Sequence, residues 1–407
     1  MVPADVAWML VSAALVLLMT PALAFFYGGL VRSSNTLNTM MMSFSSLAFV
    51  AIAWAVLGYS LAFGEGSSVI GDTSYAFLRG VGLEPKGTIP HVLYMAYQGT
   101  FAIITAALIS GAIVERMRFS AYLVFITLWS LVVYAPMAHW VWGGGWMSTL
   151  GENGALDFAG GTVVHVNAAA AALVAALVVG ARRGERSGIL PHNVPFTLLG
   201  AGVLWFGWFG FNAGSAVAAN ESAALAFTTT MLAPAGTLAG WILLDFMRGT
   251  NPTAVGAATA IVVGLVAVTP AAGFIGPMSA IVLGLVAAPF SYYAVQWRAK
   301  TSLDDSLDVV AAHGVGGTVG ALLTGVLAQA AWNGSVDGLL FGNAAQFGVQ
   351  AIAVAGAWVF SGVATFVLLK LIGLVIPLRT GAQDEEMGLD MSQHGEEAYT
   401  REGATTL

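Results

Sequence analysis

Asp157-Phe-Ala-Gly-Gly-Thr-Val-Val-His165-Val-Asn167 opens an apolar run that continues from Ala168 to Gly180. In a helix rising 1.5 Å per residue, His165 lies about 12 Å along the axis from the acid that starts the run. An ionisable ring at that depth in hydrocarbon is costly and faces a cavity or a pathway, so it is a functional hypothesis by default. A second stretch answers the first: Ser306-Leu-Asp308-Val precedes His313-Gly-Val-Gly-Gly317, as Ala155-Leu-Asp157-Phe precedes His165. Each aspartate, Asp157 and Asp308, occupies an N-cap position, and capping alone would account for both.

The composition sets the solvent. The 407 residues are 58% hydrophobic and 9% charged, with a mean hydropathy of +0.82, whereas a soluble domain has about a quarter of its residues charged. Apolar runs of about 20 residues recur without strand-length alternation, which predicts an all-α polytopic membrane protein rather than a barrel. With no cysteine, disulfides and thiolate metal sites are excluded. The opening Met1-Val-Pro-Ala-Asp5 carries no basic n-region, so no signal peptide is expected.

Eleven spans are predicted, at 5–28, 37–63, 90–113, 119–141, 158–180, 196–216, 224–247, 254–272, 277–297, 308–328 and 346–377. This divides the chain into a transmembrane domain over 1–377 and a tail over 378–407, whose acidic composition suits a segment packed on loops or partly disordered. With the N-terminus outside, the inner side collects Arg32, Arg116, Arg118, Arg182, Arg183, Arg186, Arg248, Arg298, Lys300, Lys370, Arg379 and Arg401, leaving Arg79 and Lys86 outside. That positive-inside bias puts the tail in the cytoplasm. The fifth and tenth spans then enter from opposite sides, as in a 5+5 inverted repeat plus one extra helix, with a site near the midplane.

Two histidines at similar depth can share one hydrogen bond, each ring keeping a donor and an acceptor edge; alternatively each is satisfied separately between helices. Trp142, Phe101 and Phe211 supply rings, and Ser215 a hydroxyl, in Trp208-Phe-Gly-Phe-Asn-Ala-Gly-Ser215. Aromatic faces attract cations by about 0.5–2 kcal/mol each, although interfacial aromatic belts are also common. Other chemistry lacks its motif. Ala213-Gly-Ser215-Ala has no Gly-x-Ser-Gly pattern, Gly143-Gly-Gly145 no phosphate-loop context, and Thr318-Val-Gly-Ala321 departs from a potassium filter. An enzyme is therefore not expected, nor nucleic-acid binding, because the basic residues are scattered loop anchors. His394 beside Glu396 and Glu397 reads as a solvated polar stretch rather than a metal site.

Several long motifs in order carry a resemblance: Phe26-Tyr-Gly-Gly-Leu-Val-Arg32, Gly58-Tyr-Ser-Leu-Ala-Phe-Gly64, Ala138-His-Trp-Val-Trp-Gly-Gly-Gly145, Asp157 to Asn167, Gly207 to Ser215, Val268-Thr-Pro-Ala-Ala-Gly273, Ala312-His-Gly-Val-Gly-Gly317, Gly388-Leu-Asp and His394-Gly-Glu. Across nearly the whole chain the sequence resembles the ammonium transporter family (Amt/Mep/Rh), on the bacterial or archaeal Amt side. The resemblance implies an eleven-span homotrimer with one pore per subunit and twin pore histidines at His165 and His313. It places a recruitment site at Trp142 and Ser215 with Tyr97 or Phe101 alongside, a gate at Phe101 and Phe211, a pore-lining position at Thr269 and structural support of the site at Asp157. Tyr97 stands where many relatives have Phe.

The expected function is inward ammonium transport across a plasma or inner membrane. NH₄⁺ is recruited and deprotonated, and NH₃ passes with or without its proton; methylammonium serves as an analogue. Besides membrane lipid, the expected partners are two further copies of the chain and a cytoplasmic PII-type signal protein; no cofactor is expected. The rival readings are an ammonium sensor and a gas channel of the Rh kind.

Overall fold

The computed structural model describes residues 1–183 and 190–399, so the basic positions Arg186 and Arg401 lie outside the described residues. Among the described residues, ten helices are long and apolar enough to cross a membrane: α1 (Pro3–Leu30), α2 (Ser33–Phe63), α3 (His91–Ala112), α4 (Phe119–Trp142), α5 (Gly161–Val179), α6 (Val194–Gly214), α7 (Glu221–Met247), α9 (Pro277–Arg298), α10 (Val310–Leu327) and α11 (Ala344–Gly373). The shorter α8 (Ala254–Val268) is equally apolar. Its 15 residues reach about 22 Å, short of a hydrocarbon core of about 30 Å, and the turn at Thr269–Gly273 follows. Apart from a two-residue hairpin pairing, Pro85–Lys86 with Ile89–Pro90, the described chain is essentially all-helical.

Prolines start α1, α6 and α9, where the missing N–H costs nothing. Pro21, Pro234 and Pro289 lie inside α1, α7 and α9. Four helices contain a π-helical turn: Trp54–Gly58 in α2, Ser130–Tyr134 in α4, Gly161–Val166 at the start of α5 and Val310–Val315 at the start of α10. Such turns concentrate at functional sites, and the last two carry His165 and His313.

α5 and α10 enter from opposite ends of the bundle. The start of α5 is tied to the end of α4, where the Trp142 indole donates to the Asp157 carbonyl at 2.9 Å. Beyond the end of α5, Arg182 binds Asp304, just ahead of α10, at 2.9 Å. Small residues bring the helices together in the middle. A Cβ on Gly320 would sit 2.2 Å from the Ala267 carbonyl oxygen, so only glycine lets α10 lie directly on α8.

Capping separates the two aspartates paired above. Asp157 accepts the N–H groups of Gly160, Gly161, Thr162 and Val163 at 2.6–3.0 Å. Asp308 does not cap α10: it sits at φ +58° and binds Arg298 at 2.7 and 3.1 Å. The cap is Asp305, which accepts from Val309 and Val310 at 3.0 and 2.7 Å.

The described part of the tail is folded onto the bundle. It forms α12 (Ala382–Met387) and α13 (Leu389–His394). The Asp390 carboxylate takes the N–H groups of Leu37 and Asn38, at 3.0 and 2.7 Å, at the start of α2, while Glu385 binds Arg379. His394 Nε2 meets the Asn38 amide at 3.0 Å, and no group of side chains among the described residues is arranged to hold a metal ion.

Candidate functional site

A vestibule of about 340 Å³ opens at the Trp142 end, with Tyr94, Gln98, Phe101, Trp142, Phe158 and Ser215 in its wall. Trp142 is held rigidly through its bond to Asp157, and its ring meets Phe101 edge-on, centroids 6.0 Å apart at 88°. Ser215 Oγ donates to the Phe211 carbonyl at 2.9 Å, which leaves oxygen lone pairs for an incoming N–H donor. Rings and a hydroxyl oxygen are the groups that bind a small cation without a buried countercharge.

Below the vestibule, Phe101 and Phe211 stack with centroids 4.2 Å apart and planes at 30°. Both are 1% exposed. The stacked pair lies between the vestibule, which Phe101 lines, and the cavity beneath, which Phe211 lines.

Beneath the stack is a narrow cavity lined by Phe211, Trp208, His165, His313, Leu108 and Val164, among others. Its volume of about 10 Å³ corresponds to roughly one water-sized molecule. His165 and His313 meet through their Nδ1 atoms at 3.1 Å, so one Nδ1 carries the hydrogen and the other accepts it. His165 Nε2 is buried with no partner among the described residues, which leaves it available to a polar molecule in this cavity. His313 lines both this cavity and the vestibule at the opposite end. Trp208 stacks on His165, centroids 5.5 Å apart at 22°, and its indole donates to Thr269 Oγ1 at 2.8 Å.

The opposite vestibule has about 220 Å³ and includes Arg182, Arg298, Thr259, Ser306, Asp308 and His313 in its wall. An ionic cluster braces it, in which Arg182 binds Glu115 at 2.7 Å and Asp304 at 2.9 Å, and Arg32 binds Glu115 at 3.1 Å. Burial works against the charged form of Glu115, yet Arg182 and Arg32 hold its carboxyl below the usual range. Asp304 is held down in the same way, against its burial, by Arg182.

The structure thus brings Trp142, Ser215, Phe101, Phe211, His165 and His313 onto one path. Three other sequence candidates stand behind it. Tyr97 is absent from the lining of these cavities; its hydroxyl donates toward the Gly210 and Phe211 carbonyls, each at 3.0 Å, and lies 3.3 Å from Ser215 Oγ. Thr269 is fully buried and holds Trp208; like Tyr97, it is absent from the lining of these cavities. Asp157 supports both Trp142 and the first turn of α5. Sequence reasoning missed Tyr94, Gln98, Phe158, Trp208 and Asp305. Tyr94, Gln98 and Phe101 have the i, i+4, i+7 spacing of one helical stripe, and Trp208 precedes Phe211 by one turn, so periodicity held the signal for these.

A membrane-spanning bundle with a vestibule at each end and paired histidines between them is in keeping with a transporter, and comparison with known proteins agrees. The Ammonium Transporter Family profile matches residues 7–399. An ammonium transporter of Bacillus subtilis is 47% identical over 97% of this chain and 98% of its own length. Ammonium transporter Amt1 of Archaeoglobus fulgidus is 46% identical over 97% and 99%. Among solved structures, Candida albicans Mep2 superposes with a TM-score of 0.89 at 33% identity, covering 98% of this chain and 90% of that one. A structure titled Sensor Amt Protein superposes with a TM-score of 0.89 at 28% identity, covering 96% and 98%. The chain belongs to the ammonium transporter family, and it is a multi-pass membrane transporter rather than an enzyme.

Proposed function

We propose that this ammonium transporter recruits NH₄⁺ at the vestibule formed by Trp142, Ser215, Phe101 and Tyr94, and passes NH₃ along the His165–His313 pair, the proton either returning to the vestibule water or following along the histidines. The observation that carries this reading is the paired histidines in a cavity of about 10 Å³. The physical problem is discrimination against K⁺, which matches ammonium in size and charge. Rings and a hydroxyl gather either ion, and dragging a bare ion into hydrocarbon is prohibitive. Only ammonium can shed its charge by losing a proton. The Phe101–Phe211 stack strips the hydration shell, and the free Nε2 of His165 offers a hydrogen-bonding site to the neutral molecule that enters.

In this reading the Trp142 end faces outward and the Arg182 end inward, in keeping with the distribution of basic residues. Residues 1–377 form the conducting domain and 378–407 a cytoplasmic tail. Thr269 acts from behind the pore wall, through Trp208, and Asp157 and Tyr97 act as supports. A homotrimer, a plasma-membrane location and a PII-type regulator belong to the same proposal on the strength of the family.

The test is the double replacement of His165 and His313 by apolar residues in protein reconstituted on a supported membrane, pulsed with ammonium, methylammonium and K⁺. Loss of the ammonium response, or loss of its preference over K⁺, is expected. Selective uptake equal to wild type in the double variant would refute the mechanism. A transient current with ammonium shows that charge moves; uptake seen only as an interior pH change shows neutral NH₃.

A further inference from the structure

Lys86 is a tethered alkylammonium beside the recruitment vestibule. It stands on the hairpin strand Pro85–Lys86, and its Nζ lies 5.7 Å from the centroid of the Tyr75 ring and 5.1 Å from that of Tyr94. Tyr94 also forms part of the vestibule wall, so one ring serves both the lysine and the site. The hairpin is fixed in place: the Val2 N–H donates to the Thr88 carbonyl, and the His91 N–H to the Glu84 carbonyl, both at 2.9 Å. Glu84, on the same hairpin, lies 3.9 Å from His91 Nδ1. Among the described residues no carboxylate pairs with Lys86, which is half-buried, and burial draws its ammonium below the usual lysine range.

We propose that Lys86 sets the ammonium affinity of the Trp142 vestibule, its caged charge opposing the entry of a second cation at the shared Tyr94 ring. The proposal rests on the reading that this vestibule recruits NH₄⁺. A cation held on the other face of the Tyr94 ring, within about 6 Å of its centroid, stands up to about 10 Å from the Lys86 ammonium. At that distance removal of one charge raises occupancy about twofold in bulk-water dielectric and about fifteenfold at an effective dielectric constant of about 20.

The experiment is ammonium-evoked transport by the full-length protein in proteoliposomes at about 10 mM ionic strength, where the Debye length is about 30 Å. K86Q and K86M remove the charge, and K86M keeps the aliphatic stem packed on the rings; K86R keeps the charge. The half-saturating ammonium concentration is expected to fall by about twofold to fifteenfold in K86Q and K86M with the maximal rate unchanged, to stay at the wild-type value in K86R, and to converge on wild type near 1 M salt. A half-saturation in K86M that is unchanged or raised at low salt overturns the proposal, as does an equal shift in K86R, which would mark a packing role. S215A in the wild-type background separates the premises. If S215A raises the half-saturation while K86M does not change it, the recruitment site stands and the role of Lys86 fails; if S215A leaves it unchanged, the recruitment reading itself fails.

Discussion

Asp157 and Asp305 stand in matched places, each eight residues before one of the paired histidines and each taking the N–H groups of the turn that leads to it. Asp157 serves four donors and Asp305 two. A π-helical start leaves its first amides without intrahelical acceptors, and in a dry bundle a carboxylate is what satisfies them. D157A strands four N–H groups at about 1–3 kcal/mol each. It is expected to accumulate little folded protein, whereas D157N, with one acceptor oxygen, folds but melts earlier. Thermal unfolding of both variants in detergent checks the order.

Asp305 titrates in an unusual range. Burial, and then the neighbouring Asp308 carboxylate, push it from 3.8 up to about 7. A carboxyl whose folded-state pKa is raised gives a stabilisation that is complete below the unfolded value and lost as pH rises through the folded one. The wild-type melting temperature should therefore fall between about pH 4 and pH 7 by more than that of D305N, whose amide does not titrate. Parallel slopes for the two proteins over that range would contradict the assignment.

Thr269 holds the Trp208 indole, and Trp208 holds His165 by stacking. T269V leaves the indole N–H unpaired in a buried site, at about 1–3 kcal/mol, and frees the ring to tilt. Slower transport at unchanged half-saturation is expected, with recovery in T269S, which restores the hydroxyl. A purely apolar role for residue 269 would leave T269V as active as T269S.

Arg182 is the hub of the ionic cluster, and R182A leaves the buried carboxylates of Glu115 and Asp304 without their main partner. Breaking a buried pair from one side costs about 3–5 kcal/mol, so R182A should be poorly folded. R182K keeps the charge but not the forked contact to both acids, and an intermediate melting temperature is expected in a thermal scan.

The spans were legible because composition and apolar run length report burial in lipid directly, residue by residue. The meeting of His165 and His313 was legible because each breaks an otherwise apolar run. The cap of α10 was not: Asp308 repeats the Leu-Asp dipeptide of Asp157, and local similarity drew attention from Asp305, whose eight-residue spacing to its histidine is the match. Tyr97 in α3 and Thr269 just past the end of α8 carry polar atoms at the right depth, yet which side they face depends on helix rotation. That rotation is set by close approaches such as Gly320 on Ala267, which depend on two distant segments at once. Tyr94 and Gln98 were hidden for a different reason: neither breaks the character of its helix, so only their periodicity with Phe101 marks them.

The cap of α2 comes from Asp390, which lies more than three hundred residues downstream in the chain. Synthesis runs from the N-terminus, so α2 is inserted with its first turn open and stays so until Asp390 has been made. Until then two amides of the second helix wait on a carboxylate from a distant segment, and closing that turn belongs to late folding rather than to insertion.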